Sequence, residues 1–262
     1  NHSINVFWNR HVVHHSSEEF NLACGLRQSI SKNIIGFGAL FLIPAALFGV
    51  PQKIIIILAP LHLFGQFWYH TRHIGKLGWL EYFLVTPSQH RVHHAINPEY
   101  VDKNLSAIFC IWDRIFGTFQ EELDEKPCVY GTLKPVQTWN PIIINFQHNW
   151  GLAKDAWRAK NWLDKFKLWF MPTGWRPKDV AERFPISIVE NVYSQEKYAP
   201  KYKTLHKFYA IFQFICINIF IYVLLTNFGA LSINSHLSFG LLISTTIFGF
   251  TSLLDGHKWA FF

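Results

Sequence analysis

Between Phe208 and Leu254 the chain carries no Asp, Glu, Lys or Arg, and a single histidine, His236, interrupts the run. A stretch of that length holds two membrane spans of about 20 residues each, with a polar turn available at Ser232 to His236. A second uncharged run covers Asn33 to Gln52 and resumes after Lys53 from Ile54 to Tyr69. Pro51, Gln52 and Lys53 read as the tip of a tight helical hairpin. Each of its arms is short, so a re-entrant hairpin dipping into one leaflet competes with a full crossing. Composition agrees: 16% of residues are charged, against about 25% in an ordinary soluble domain. Such a composition argues against disorder, collagen and coiled coil and leaves either a very hydrophobic soluble protein or a membrane protein. The expected fold is all-α: an integral membrane protein with two apolar helical hairpins and a histidine-rich helical domain on the cytosolic face. The expected divisions are 1–125, a histidine-rich core that includes hairpin 33–70; 126–207, an interfacial connecting region; and 208–255, the C-terminal hairpin.

The net charge of +7 points to a membrane surface rather than nucleic acid, because the basic residues border apolar runs. Of the 24 Lys and Arg only Lys53 falls at a hairpin tip, so the positive-inside rule puts the remaining segments on the cytosolic side. That fits a multi-pass protein of a bacterial inner membrane or the endoplasmic reticulum. Cys24, Cys110, Cys128 and Cys216 show no paired spacing, which argues against a zinc ribbon or disulfide framework. The chain opens at Asn1 without Met or signal peptide, and an N-terminal truncation is expected.

Histidines carry the chemistry. Two H-x-x-H-H strings occur, His11, His14, His15 and His90, His93, His94. With 14 His in 262 residues, chance supplies about 0.04 copies of such a string. Positions i, i+3 and i+4 share a helix face, so each string is expected to present three imidazoles to one point. The second has a visible helix start: Thr86 as N-cap, Pro87 at N1 and Gln89 completing a capping box. His70 and His73 follow the second apolar arm, His2 opens the chain, and His62 lies inside the arm, where Gln66 could pair with it. His148, His206, His236 and His257 are isolated.

An all-nitrogen donor set is compatible with zinc, copper, nickel or iron. Seven or eight imidazoles exceed the four that one structural zinc needs, and two adjacent irons that activate O₂ explain the surplus better. Glu18, Asn21, Asn97, Asp102 and Asn104 are candidates for orienting ring N–H groups. A zinc-dependent membrane hydrolase is the rival, with Glu18 as its general base.

Four strings carry a family likeness: H-S-I-N-x-x-W-x-x-H-V-V-H-H-S-S-E-E-F-N-L from His2, W-Y-H-T, T-P-S-Q-H-R-V-H-H-x-x-N-P-E-Y-V-D-K-N and I-W-D-R-I-F-G-T-F. Together they resemble the fatty acid hydroxylase/sterol desaturase superfamily, nearest its alkylglycerol monooxygenase branch. G-W-R-P (Gly174 to Pro177) and T-S-L-L-D (Thr251 to Asp255) are similar to that branch as well. The resemblance implies a membrane-bound non-haem di-iron oxygenase acting on a lipid C–H bond, or a sterol or fatty-acyl desaturase. Its implied metal ligands are His2, His11, His14, His15, His70, His90, His93 and His94, with His73 a weaker ninth. The first histidine of the family's opening H-x₃-H pair would precede Asn1. Ser3 stands where the animal monooxygenases carry an acid, which favours a divergent homologue with its own lipid substrate.

Electrons are expected from outside, from tetrahydrobiopterin or a cytochrome- or ferredoxin-type donor, because no G-x-G-x-x-G or C-x-x-C run suggests an internal one. The implied partners are thus a lipid substrate, the membrane and that donor, with no nucleic acid. Trp150 to Phe170 interleaves aromatics with lysines. It reads either as an interfacial helix or as a helix packed on the catalytic domain. Residues 171–207 read as a connecting loop.

Overall fold

The computed structural model describes residues 2–31, 40 and 42–261. Among them every regular element is helical, and β structure is confined to two isolated antiparallel bridges, Leu84 to Phe109 and Ala95 to Tyr130. Of the arm Asn33 to Gln52, residues 33–39 and 41 lie outside the described residues. The chain forms two compact units, Asn1–Val136 with His148–Glu196, and Gln137–Gln147 with Lys197–Phe262.

The first unit carries α1 (Asn5–Trp8), α2 (Val12–His15), α3 (Leu22–Leu26), α4 (Ile43–Leu47), α5 (Gln52–Phe67), α6 (Pro87–His94) and α7 (Ile111–Phe116). It also holds the later turns of α8 (Pro141–Arg158), then α9 (Trp162–Lys167) and α10 (Lys178–Arg183). Most of these helices are one or two turns long, too short to stand on propensity alone; polar staples hold them. Asn5, buried in α1, donates to the carbonyls of Leu168 and Trp175 and accepts from the amide of Gly174. Arg176 forks onto Asp155 at 2.6 and 2.9 Å. The G-W-R-P string therefore anchors the segment that begins with His2. The loop expected over 171–207 contains α10 and a 3₁₀ turn, Val192–Ser194.

Helix α5 has 16 residues, about 24 Å of rise against a hydrocarbon slab of about 30 Å. In the second unit, α11 (Thr204–Thr226) and α12 (Ile233–Leu254) are both long and apolar enough to cross a membrane. Only 11% and 17% of their most apolar windows are buried, whereas a core helix of a soluble protein would hide its apolar faces. Their connection lies earlier than the expected Ser232 to His236. Asn227 ends α11, and the Ser232 hydroxyl accepts from the Ser235 amide to start α12, so Ile233 to His236 are already helical. Asp255, closing the T-S-L-L-D string, accepts from the Thr138 hydroxyl, the Trp139 amide and the Tyr198 hydroxyl.

Candidate metal centre

Helix α6 begins where its sequence directs, with Thr86 as N-cap and Pro87 at N1. The expected capping box is absent because Glu81 displaces it. The Glu81 carboxylate accepts from the hydroxyls of Thr86 (2.8 Å) and Ser88 (2.7 Å) and from the Leu77 amide, and its carbonyl accepts from the Gln89 amide group. Between the histidines of α6, Arg91 is 7% exposed. It pairs with both Glu122 oxygens at 2.8 and 2.6 Å and donates to the carbonyls of Thr71 and Ile74. This clamp ties α6 to the segment that follows His70.

Eight imidazoles converge. His2, His11, His15 and His93 form one group, and His14, His70, His90 and His94 another; within each, one nitrogen per ring lies within 4.8 Å of the others. The groups adjoin, His15 stacking on His94 at 4.2 Å between ring centroids and His14 meeting His94 at 4.5 Å. All eight residues that the resemblance implies as ligands stand in these two groups. His73 is exposed and belongs to neither, and His62 stays on α5.

The expectation that each string serves one point is corrected. His11 and His15 enter the first group while His14 enters the second; His90 and His94 enter the second while His93 enters the first. At about 100° per residue, positions i and i+4 diverge by about 40°, whereas adjacent i+3 and i+4 diverge by about 100°. Neighbouring histidines therefore face different points, and each string contributes to both groups with the roles exchanged.

The second group is fully buried. The His14 Nδ1–H donates to the Cys24 carbonyl at 3.0 Å and the His70 Nδ1–H to the Gln66 carbonyl at 2.9 Å. Since a carbonyl only accepts, both Nε2 atoms carry lone pairs. They nevertheless face each other at 3.1 Å, with His90 Nε2 3.0 Å from His70 Nε2. Two lone pairs at that distance repel; a cation between them reconciles the geometry. Buried His15 Nε2 and His94 Nε2 have no hydrogen-bond partner, each costing about 1–3 kcal/mol if left so. A cation bound at about 2.1 Å by nitrogen sets ligand separations up to about 4.2 Å, and the 3.1 Å from His14 to His70 and 3.0 Å from His70 to His90 fall inside that span.

Electrostatics points the same way. His14 is pushed down to about 3 and His93 to about 4, by burial first. His2, His11, His15, His90 and His94 lie well below the ordinary imidazole value through burial and then mutual repulsion. Neutral imidazole is the form that ligates metals. Phe20, stacked on Tyr130 at 4.9 Å, covers His70 and His94, and Trp8 packs against His2 and His15.

The polar residues expected to orient the rings have other positions. Asn21 caps α3, whose Cys24 carbonyl holds His14. Asn97 is buried, donating to the Pro127 carbonyl and accepting from the Val129 amide. Asn104 donates to the Gln89 and Gln120 carbonyls. Asp102 is exposed at positive φ, and Glu18 is half-buried beside Gly131. For His14 and His70 the orienting partners are backbone carbonyls, which sequence reasoning could not see. Gly25 is a related omission: a Cβ there would meet His70 Nδ1 at 3.1 Å and the Phe67 backbone at 3.3 Å, tighter than ordinary packing, so a side chain at this position presses on the His70 ring.

Residues 1–118 match the family model described as fatty acid hydroxylase. Alkylglycerol monooxygenase of Homo sapiens is 37% identical over 81% of this chain and 47% of its own length. The namesakes from Xenopus tropicalis and Danio rerio are each 35% identical, over 82% and 81% of this chain. The chain spans about half the length of the curated relatives it matches. No solved structure matches.

Proposed function

We propose that this chain, which belongs to the fatty acid hydroxylase family through residues 1–118, is a membrane-bound di-iron monooxygenase that oxidises a C–H bond of a lipid. The observation that carries the reading is the pair of adjoining four-imidazole groups with lone pairs directed at one another. His2, His11, His15 and His93 would hold one iron and His14, His70, His90 and His94 the other. Bound there, the irons supply reductive O₂ activation, with O₂, two electrons and two protons converting R–H to R–OH and water.

The chain's own residues do the rest. The Cys24 and Gln66 carbonyls fix the His14 and His70 rings, and the Arg91–Glu122 clamp fixes α6, which serves both groups. Phe20 and Tyr130 keep water from the buried group. A lipid substrate is supported by the surface next to α6. Segments 79–85 and 105–116 are hydrogen-bonded together through Val85 to Ile108 and Cys110 to Phe83, and they expose Trp79, Phe83, Phe109, Trp112, Ile115 and Phe116. So large an apolar surface beside a polar centre suits an alkyl chain that enters from the bilayer. The relatives act as alkylglycerol monooxygenases by name, which makes an alkylglycerol the first substrate to try. We assign the centre to the cytosolic side, with α11 and α12 crossing the membrane, from the distribution of Lys and Arg. The two electrons come from an external donor.

Product analysis tests this. The full-length protein, reduced and incubated with lipid extract under ¹⁸O₂, yields products carrying one label atom by mass spectrometry, and His93→Ala yields none. Labelled product from H₂¹⁸O without O₂ would convict a hydrolase, and unlabelled alkene a desaturase.

A further inference from the structure

Helices are normally apolar on one side only. The stretch from the end of α8 through α9 is apolar on two. Its inner side buries Leu152, Ala159 and Leu168, at 6%, 3% and 0% exposure, with Asp155 held by Arg176. Its outer side exposes Trp157 (86%), Trp162 (71%), Leu163 (75%), Phe166 (66%) and Phe170 (67%). These are one patch: Trp162 stacks on Phe166, and Lys165 donates to the Trp157 carbonyl while lying over the Trp162 ring. Lys154 and Lys160 are exposed along the same stretch, while Arg158 lies over Phe184 and Lys167 over Trp175; the acids from 150 to 170 are buried Asp155 and half-buried Asp164.

We infer that this patch docks on the headgroup region of an anionic lipid leaflet, aromatic rings at the headgroup–acyl boundary and lysines toward phosphate. Core packing already satisfies the inner side, and the outer rings stay largely exposed. Tryptophan interleaved with lysine is the chemistry of the membrane interface, and basic groups near an anionic surface add to the attraction. A protein partner would need an acidic, apolar complement of the same size; a bilayer offers it along its whole area. The surface acts independently of the metal centre.

The test uses the full chain in nanodiscs of phosphatidylcholine with or without phosphatidylglycerol, in a Cys128→Ser, Cys216→Ser background. Nitroxide labels are placed at Phe166→Cys, at Glu182→Cys as an exposed control and at Ile211→Cys on α11. The expected ratio of O₂ to nickel-chelate accessibility at position 166 is several-fold above that at 182, higher with phosphatidylglycerol. It falls when Lys154, Lys160, Lys165 and Lys167 are all changed to Gln. Equal ratios at 166 and 182 in both lipids would overturn the inference, as would spin–spin broadening at 166, which marks a second copy on the patch. A water-exposed reading at 211 would instead overturn the membrane assignment of α11.

Discussion

The two histidine groups are near mirror images in ligand origin and unlike in surroundings. The second is buried throughout, and backbone carbonyls on separate segments lock two of its rings. The first has only His15 buried; His2, His11 and His93 are half-buried, and Trp8 packs at its side. The second group is thus the more shielded from solvent, with two of its rings fixed by backbone carbonyls. Preorganisation lowers the cost of binding, so the buried group should hold its metal more tightly and the open one should be where O₂ and substrate gain access.

The largest expected effect comes from His70→Ala, which removes the ring facing both His14 and His90. Activity should fall by at least about 10³-fold, the order seen when a group essential to chemistry is lost, and metal content should drop by one per chain or more. His2→Ala should also inactivate yet keep one metal. Loss of both metals from His2→Ala, measured by elemental analysis, would break the asymmetry.

Arg91→Met comes next. It leaves the half-buried Glu122 carboxylate without its partner, so thermal or denaturant unfolding should report a loss of about 1–3 kcal/mol. Because α6 serves both groups, both metals should weaken together; weakening of one alone would mean the groups are held separately.

Gly25→Ala sharpens the comparison from the other side. The added methyl presses on His70 and the Phe67 backbone, with an overpacking cost of about 1–3 kcal/mol. Metal affinity should fall at the second group and hold at the first, as resolved by two-phase release to a chelator. The smallest effect is Asn21→Ala, which removes the cap of α3 for about 1 kcal/mol and should loosen only the second group, through the Cys24 carbonyl.

Much of this was legible in the sequence. The two H-x-x-H-H strings, His2 and His70 marked the eight converging rings, Thr86 and Pro87 marked the start of α6, and the uncharged run marked α11 and α12. What was hidden shares a physical cause. Glu81 takes the Thr86 hydroxyl from a neighbouring 3₁₀ turn, so a local capping pattern lost to a tertiary partner. The carbonyls that orient His14 and His70 belong to Cys24 and Gln66, and a backbone atom leaves no trace in residue identity. The exchange of roles between the strings could have been anticipated, since the angle between adjacent helical residues forbids His14 and His15 from meeting at one point.

The most direct test is the iron content of the full-length protein, loaded anaerobically with Fe(II) and freed of excess metal. Two irons per chain, with a Mössbauer spectrum in two equal nitrogen-rich components and one component lost in His2→Ala, is the predicted result. One iron or none, or a content indifferent to substitution of His2 and His70, would contradict a centre shared by two imidazole tetrads.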